Sequence, residues 1–340
     1  MNHTLLPTKL WSCILTLSLL PITASAQQAP ADAPDIKTVV ADGVKLVAAA
    51  AARYPEHRKC FSCHHQTLPL LAMQAAQRRG VESSAEQVND ILAFSYQSFR
   101  TRKESLLAGS GIGGRDMTVA YGLWTLELAG QKPDDTTEAM VAYLLQTQRK
   151  DGTWTFQTNR PPLESSVITS TVLALYGLEK YASEVQQVKA TVAQSKASDW
   201  LKQAECKSQE DRAFLLWGLS WLMPEGERLK LAKEEVWKAQ REDGGWGQLD
   251  DMPSDAYATG QTLWALHEAG CSTTDENYLR GTGFLLRTRQ KDGSWKVATR
   301  SRPIQTYFDN GDQHGKDQFI STPATSWATA ALSMLLKEKN

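Results

Sequence analysis

The chain has 340 residues, with 37 Lys and Arg against 38 Asp and Glu and a formal net charge of −1. Both signs are mixed along its length, so it offers no basic stripe for a nucleic-acid backbone and no cationic amphipathic anchor for a membrane surface. Beyond the first residues no run of eighteen uninterrupted apolar residues occurs, and no membrane span is expected.

Lys9 precedes an apolar run over residues 10–22 that is too short to cross a bilayer, and Ala24-Ser25-Ala26 supplies a small-residue cleavage site. Residues 1–26 therefore read as a signal peptide, which places the mature chain in the periplasm or outside the cell. Cys13 leaves with the leader; Cys60, Cys63, Cys206 and Cys271 stay. Residues 27–55 read as an N-terminal extension with one helix, and 56–340 as the main body.

The main body opens on Cys60-Phe61-Ser62-Cys63-His64. CxxCH is the c-type haem attachment pattern: two thiols add to the vinyl groups and the adjacent His binds the iron. Haem c on Cys60, Cys63 and His64 is the leading expectation, and it agrees with an export signal. A redox CxxC pair and a zinc site on the same cysteines are the alternatives. His65 and His57 are too close in sequence to reach the far side of an iron held by His64. Met117 is the first candidate for that distal position, followed by His314 and Met252.

Repeats dominate the rest. Residues 144–154 (LLQTQRKDGTW), 237–246 (WKAQREDGGW) and 285–295 (LLRTRQKDGSW) each end a helical pattern in a charged turn and Asp-Gly-x-Trp. Gly at that place permits the positive φ that closes a helix. Trp154, Trp246 and Trp295 stand 92 and 49 residues apart, which points to a degenerate copy near Trp200. Nearly uncharged segments start near His64, Asp116, Ser165, Asp211, Asp255 and Pro323. Helices apolar all round are buried on both sides, whereas the segments between them carry charge on one face. Six inner helices alternating with outer ones predict a closed all-α ring, an (α/α)6 toroid.

Gln148-Arg-Lys-Asp-Gly152-Thr-Trp154 and Gln240-Arg-Glu-Asp-Gly244-Gly-Trp246 match the QxxxGxW repeat, and the chain resembles the squalene cyclase and protein prenyltransferase superfamily over most of residues 60–340. Arg289 replaces the Gln in the third copy. In that superfamily the repeat ties outer helices together and is not catalytic. The resemblance implies a terpenoid cyclase or isomerase acting on a small apolar isoprenoid. The DxDD cluster with which squalene-hopene cyclases protonate an alkene is missing. Asp250, Asp251 and Asp255 are the weak catalytic candidates that remain, and Asp250 and Asp251 also read as solvated turn acids. The prenyltransferase zinc pattern is not matched.

In such a ring every outer-to-inner connection lies at one end. The Asp-Gly-x-Trp turns, Cys60–His64 and the starts at Asp116, Glu164, Asp211 and Asp255 are therefore expected on one rim. The long insertion 296–322, with Arg300, Arg302, Tyr307, Asp309, Asp312, His314, Lys316 and Asp317, belongs to the same rim and reads as a lid or a solvated loop. Tyr121, Trp124, Tyr176, Trp217, Tyr257, Trp264 and Trp327 are expected to line the interior, as core or as the wall of an apolar cavity. A redox partner and a non-catalytic binding role are the remaining functional alternatives.

Overall fold

The computed structural model describes Met1, residues 35–304 and residues 306–339; the predicted apolar leader and its cleavage site lie outside the described residues. The helices are α1 (Ile36–His57), α2 (Leu68–Gln77), α3 (Ala85–Arg100), α4 (Lys103–Leu107), α5 (Arg115–Leu128), α6 (Asp135–Thr147), α7 (Val167–Tyr181), α8 (Gln187–Gln203), α9 (Gln209–Leu222), α10 (Glu227–Lys238), α11 (Ala256–Glu268), α12 (Glu276–Thr288) and α13 (Gln318–Ser333). A π-helical turn, Cys63–Thr67, leads into α2. A two-residue antiparallel pairing joins Trp246–Gly247 to Ser254–Asp255.

Six of these helices, α2, α5, α7, α9, α11 and α13, are the apolar segments expected to be inner. The pattern of burial follows from composition. α11 buries eleven consecutive residues from Ala256 to Leu266, because no charge interrupts them. α10 buries only Leu229, Ala232 and Val236, one stripe at helical spacing. α13 packs against α11 on one side and α2 on the other, so the last inner helix meets the first and the ring closes. α1 is part of that closure. Its stripe Val39, Val40, Val44, Val47, Ala48 and Ala51 is buried, and the helix packs on α13 and α2 as the sixth outer helix.

The repeat motif has a mechanical role in each copy. The indole Nε1 of Trp154, Trp246 and Trp295 donates to the carbonyl ten residues earlier, on Leu144 (2.7 Å), Val236 (2.9 Å) and Leu285 (2.7 Å). The backbone N–H of each Trp donates to a threonine of the following inner helix, Thr171, Thr259 or Thr325. Gln148 and Gln240 donate to the carbonyls of Gly152 and Gly244 and to carbonyls of the next outer helix, Ala193 (2.8 Å) and Asn277 (2.7 Å). Arg289 does the same work by other chemistry. Its Nε donates to the Gly293 carbonyl, and its Nη2 reaches the carboxylate of Asp42 on α1 at 2.5 Å. The departure from the repeat lies where the last turn must grip the first helix.

The ring axis is filled from within. Trp124, Trp217, Trp264 and Trp327 come from four inner helices and touch one another, with ring centroids 5.1–6.4 Å apart. All four are buried. They stand eight or nine residues into α5, α9, α11 and α13, about 12 Å below the N-terminal rim at 1.5 Å per residue. The aromatic interior is therefore packed core at that level.

Candidate functional site at the N-terminal rim

The N-termini of α5, α7, α9, α11 and α13 and the π turn face one end of the ring. Ser166, Ser208 and Asp255 cap their helices by accepting from Thr169, Asp211 and Ala258 N–H. This sets the first-turn side chains pointing across the mouth. The insertion crosses above them. Ser301 Oγ donates to the Pro161 carbonyl (2.5 Å), Arg300 Nε donates to Gln248 Oε1 (2.7 Å), and Arg58 Nη2 donates to the Thr306 carbonyl (2.6 Å). One loop thus ties together segments far apart around the rim.

Glu210 is the central acid, one residue into α9 and 3% exposed. Its Oε2 accepts from Tyr257 Oη and from Gln261 Nε2, each at 2.8 Å, and its Oε1 accepts from Thr169 Oγ1 at 3.3 Å. Burial wins over these three donors and raises the carboxyl to about 7. The other end of the Gln261 amide, Oε1, is buried with no hydrogen-bond partner among the described residues. Asp255 follows the same trend, raised by burial to about 6. Its two oxygens are occupied, by Ala258 N–H and by Gln248 Nε2.

The π turn sits on the other side of the mouth. Cys63 is 5% and His64 9% exposed. Arg160 donates through Nε to Glu164 Oε2 at 2.9 Å, and the charges of this pair act on the turn. Burial, and then Arg160, lowers His64 to about 3, so the ring is neutral; burial pushes the Cys63 thiol up and keeps it protonated. His64 Nδ1 lies 3.2 Å from Ser62 Oγ and 3.7 Å from Cys63 Sγ. Cys60 is exposed, with its thiol 3.6 Å from Tyr54 Oη.

Covalent haem needs both thiols and the imidazole on one open face, the thiols at the macrocycle edge and the ring over its centre. Here the Cys60 thiol lies against the hydroxyl of buried Tyr54, while Cys63 and His64 are enclosed beside Arg160 and Glu164. The three residues do not fit that group in this fold. Among the described residues no three His, Cys, Asp or Glu side chains gather as a metal-holding set.

The other predicted residues are scattered. Met117 is buried in the apolar core of α5. His314 Nε2 lies 2.7 Å from Ser294 Oγ at the third Asp-Gly-x-Trp turn. α5 packs against the π turn, but no hydrogen bond joins Met117 or His314 to Cys60, Cys63 or His64 among the described residues. Asp250 is exposed and paired with Arg212 at 3.0 Å, and Asp251 is exposed. His65 holds a position that sequence reasoning gave it no reason to hold. It stacks on Tyr54 (4.6 Å) and lies 2.8 Å from Asn310 Nδ2, joining the π turn to the insertion. Glu210 and Tyr257 were not singled out as site residues. The available signal was an acid in the first turn of a segment that is otherwise almost uncharged.

No protein-family profile and no curated protein matches the sequence. Solved structures do. A variant of the type II terpene cyclase MstE from Scytonema, in complex with merosterolic acid A as product, is 14% identical, with a TM-score of 0.58 over 88% of this chain and 97% of that one. A second variant of the same enzyme holds geranylgeranyl dihydroxybenzoate as substrate, with the same identity and TM-score. A wild-type glycosidase is 12% identical, with a TM-score of 0.57 over 88% and 96%. The α/α toroid is shared. At these identities the likeness establishes the fold and leaves the chemistry to the site.

Proposed function

We propose that this chain is an enzyme whose substrate enters at the N-terminal rim of the inner helices and exchanges a proton, at an oxygen atom, with Glu210. The observation that carries the reading is the buried Glu210 carboxyl, which is raised to about 7 and held by Tyr257, Gln261 and Thr169. A group that titrates near neutrality can both give and take a proton at working pH. It is far too weak an acid for an unactivated alkene, but suited to glycosidic, hydroxyl or epoxide oxygens. Filling of the axis by the four tryptophans supports a substrate held at the mouth rather than one threaded deep into the ring.

Cyclisation of an isoprenoid is the second reading, favoured by the likeness to MstE. The two separate in one assay. Purified protein is given aryl glycosides, prenyl epoxides and unactivated prenylated phenols, with Glu210→Gln alongside. Turnover at oxygen that falls about 100-fold or more in the variant supports the proposal. Turnover that is indifferent to the variant, or that is confined to the unactivated alkene, overturns it.

A further inference from the structure

Arg300 lies where the insertion crosses the mouth, and it is held differently from the ion-paired arginines. Arg160, Arg212, Arg228 and Arg289 each meet a carboxylate. Arg300 has none within ion-pair distance among the described residues. Its Nε donates to Gln248 Oε1 at 2.7 Å. Gln248 is 2% exposed, and its Nε2 donates to Asp255 Oδ2 at 2.9 Å. A buried amide thus spends one end on the cap of α11 and the other on the inner nitrogen of the guanidinium. That bond orients the fork and leaves its two terminal nitrogens without a partner among the described residues. Asp255, Glu210, Tyr257 and Asp251 act on it electrostatically, so it overlooks the proposed reacting centre.

We infer that Arg300 is a specificity residue that binds an oxyanion of the substrate, a carboxylate or a phosphate, at the mouth of the ring. A guanidinium fork receives two oxygens of one such group through parallel hydrogen bonds, and holding Nε beforehand lowers the ordering cost of doing so. The negative neighbours oppose an arriving anion. Their opposition is weakest below about pH 6, where burial keeps both Asp255 and Glu210 protonated. The inference rests on the rim being the entrance, as proposed above. It adds that the substrate is charged, with its anionic end at the lip and its reacting oxygen toward Glu210.

Calorimetric binding of benzoate, phenyl phosphate and benzyl alcohol to the full chain tests this without needing turnover. One anion or both should bind at least about tenfold more tightly than the alcohol, and which of them does so identifies the oxyanion. Arg300→Gln should weaken the anion about tenfold or more and leave the alcohol unchanged. Arg300→Lys should recover only part, since a point charge lacks the fork. Arg300 is exposed, and an unchanged circular dichroism spectrum in both variants confirms the fold. Anions that bind no better than the alcohol, or equally well to Arg300→Gln, overturn the inference. Either result leaves the Glu210 assay standing on its own.

Discussion

Glu210→Gln is the most informative single change, because it should remove activity while making the protein more stable at high pH. The carboxyl ordinarily titrates at 4.5 and is raised to about 7 in the fold. The folded state therefore binds more protons than the unfolded state between those values, and stability falls as pH rises through that window. At 1.36 kcal/mol per pH unit, the full cost of ionising Glu210 in place is about 3 kcal/mol, fully felt above pH 7 and absent well below pH 4.5. The amide removes this cost and keeps the contacts. Its oxygen can accept from Tyr257 and Gln261, and its nitrogen can donate to Thr169 Oγ1. Urea unfolding of both proteins at pH 5 and pH 8 reads the difference. The advantage of the variant should grow by roughly 2–3 kcal/mol from pH 5 to pH 8. A difference that does not change with pH would show that Glu210 is an ordinary ionised carboxylate and would refute the reasoning.

Other consequences are more direct. Protein made in a host with c-type haem maturation should show no Soret band that survives acidified organic extraction; a band that survives would mean Cys60, Cys63 and His64 rearrange around haem. Gly152→Ala should cost about 1–3 kcal/mol or more in a thermal melt, since φ is +92° and the new Cβ would meet the Lys196 carbonyl oxygen at 2.6 Å. Gly80→Ala, at φ +75° with nothing within 4 Å, should cost about 1 kcal/mol in the same melt. Asp42→Asn should cost under about 1 kcal/mol, because the Asp42 side chain is half exposed. Trp124→Ala, which opens a cavity in the axial cluster, should cost about 3–5 kcal/mol by denaturant titration.

Helix periodicity and the Asp-Gly-x-Trp turns were enough to determine the toroid from sequence. Both are local: a turn needs its glycine, an inner helix needs to lack charge, and neither depends on distant partners. Locality is also why Arg289 reads from the sequence only as a departure from the repeat. Arg289 stands for Gln because its partner is Asp42, 247 residues away, and only ring closure brings the two together. The same limit applies to Cys60-x-x-Cys63-His64. Spacing states that three side chains are near one another along the chain; it does not state which of them face the same way. Tertiary packing sends Cys60 outward and encloses Cys63 and His64 beside residues 160 and 164. It also decides which acid matters. Asp250, Asp251, Asp255 and Glu210 differ little as residue types, but Asp250 and Asp251 end in solvent, Asp255 caps a helix, and Glu210 is buried beside Tyr257. The cost of holding charge away from water is set by what surrounds a group, which is determined only when six helices from the length of the chain converge on one rim.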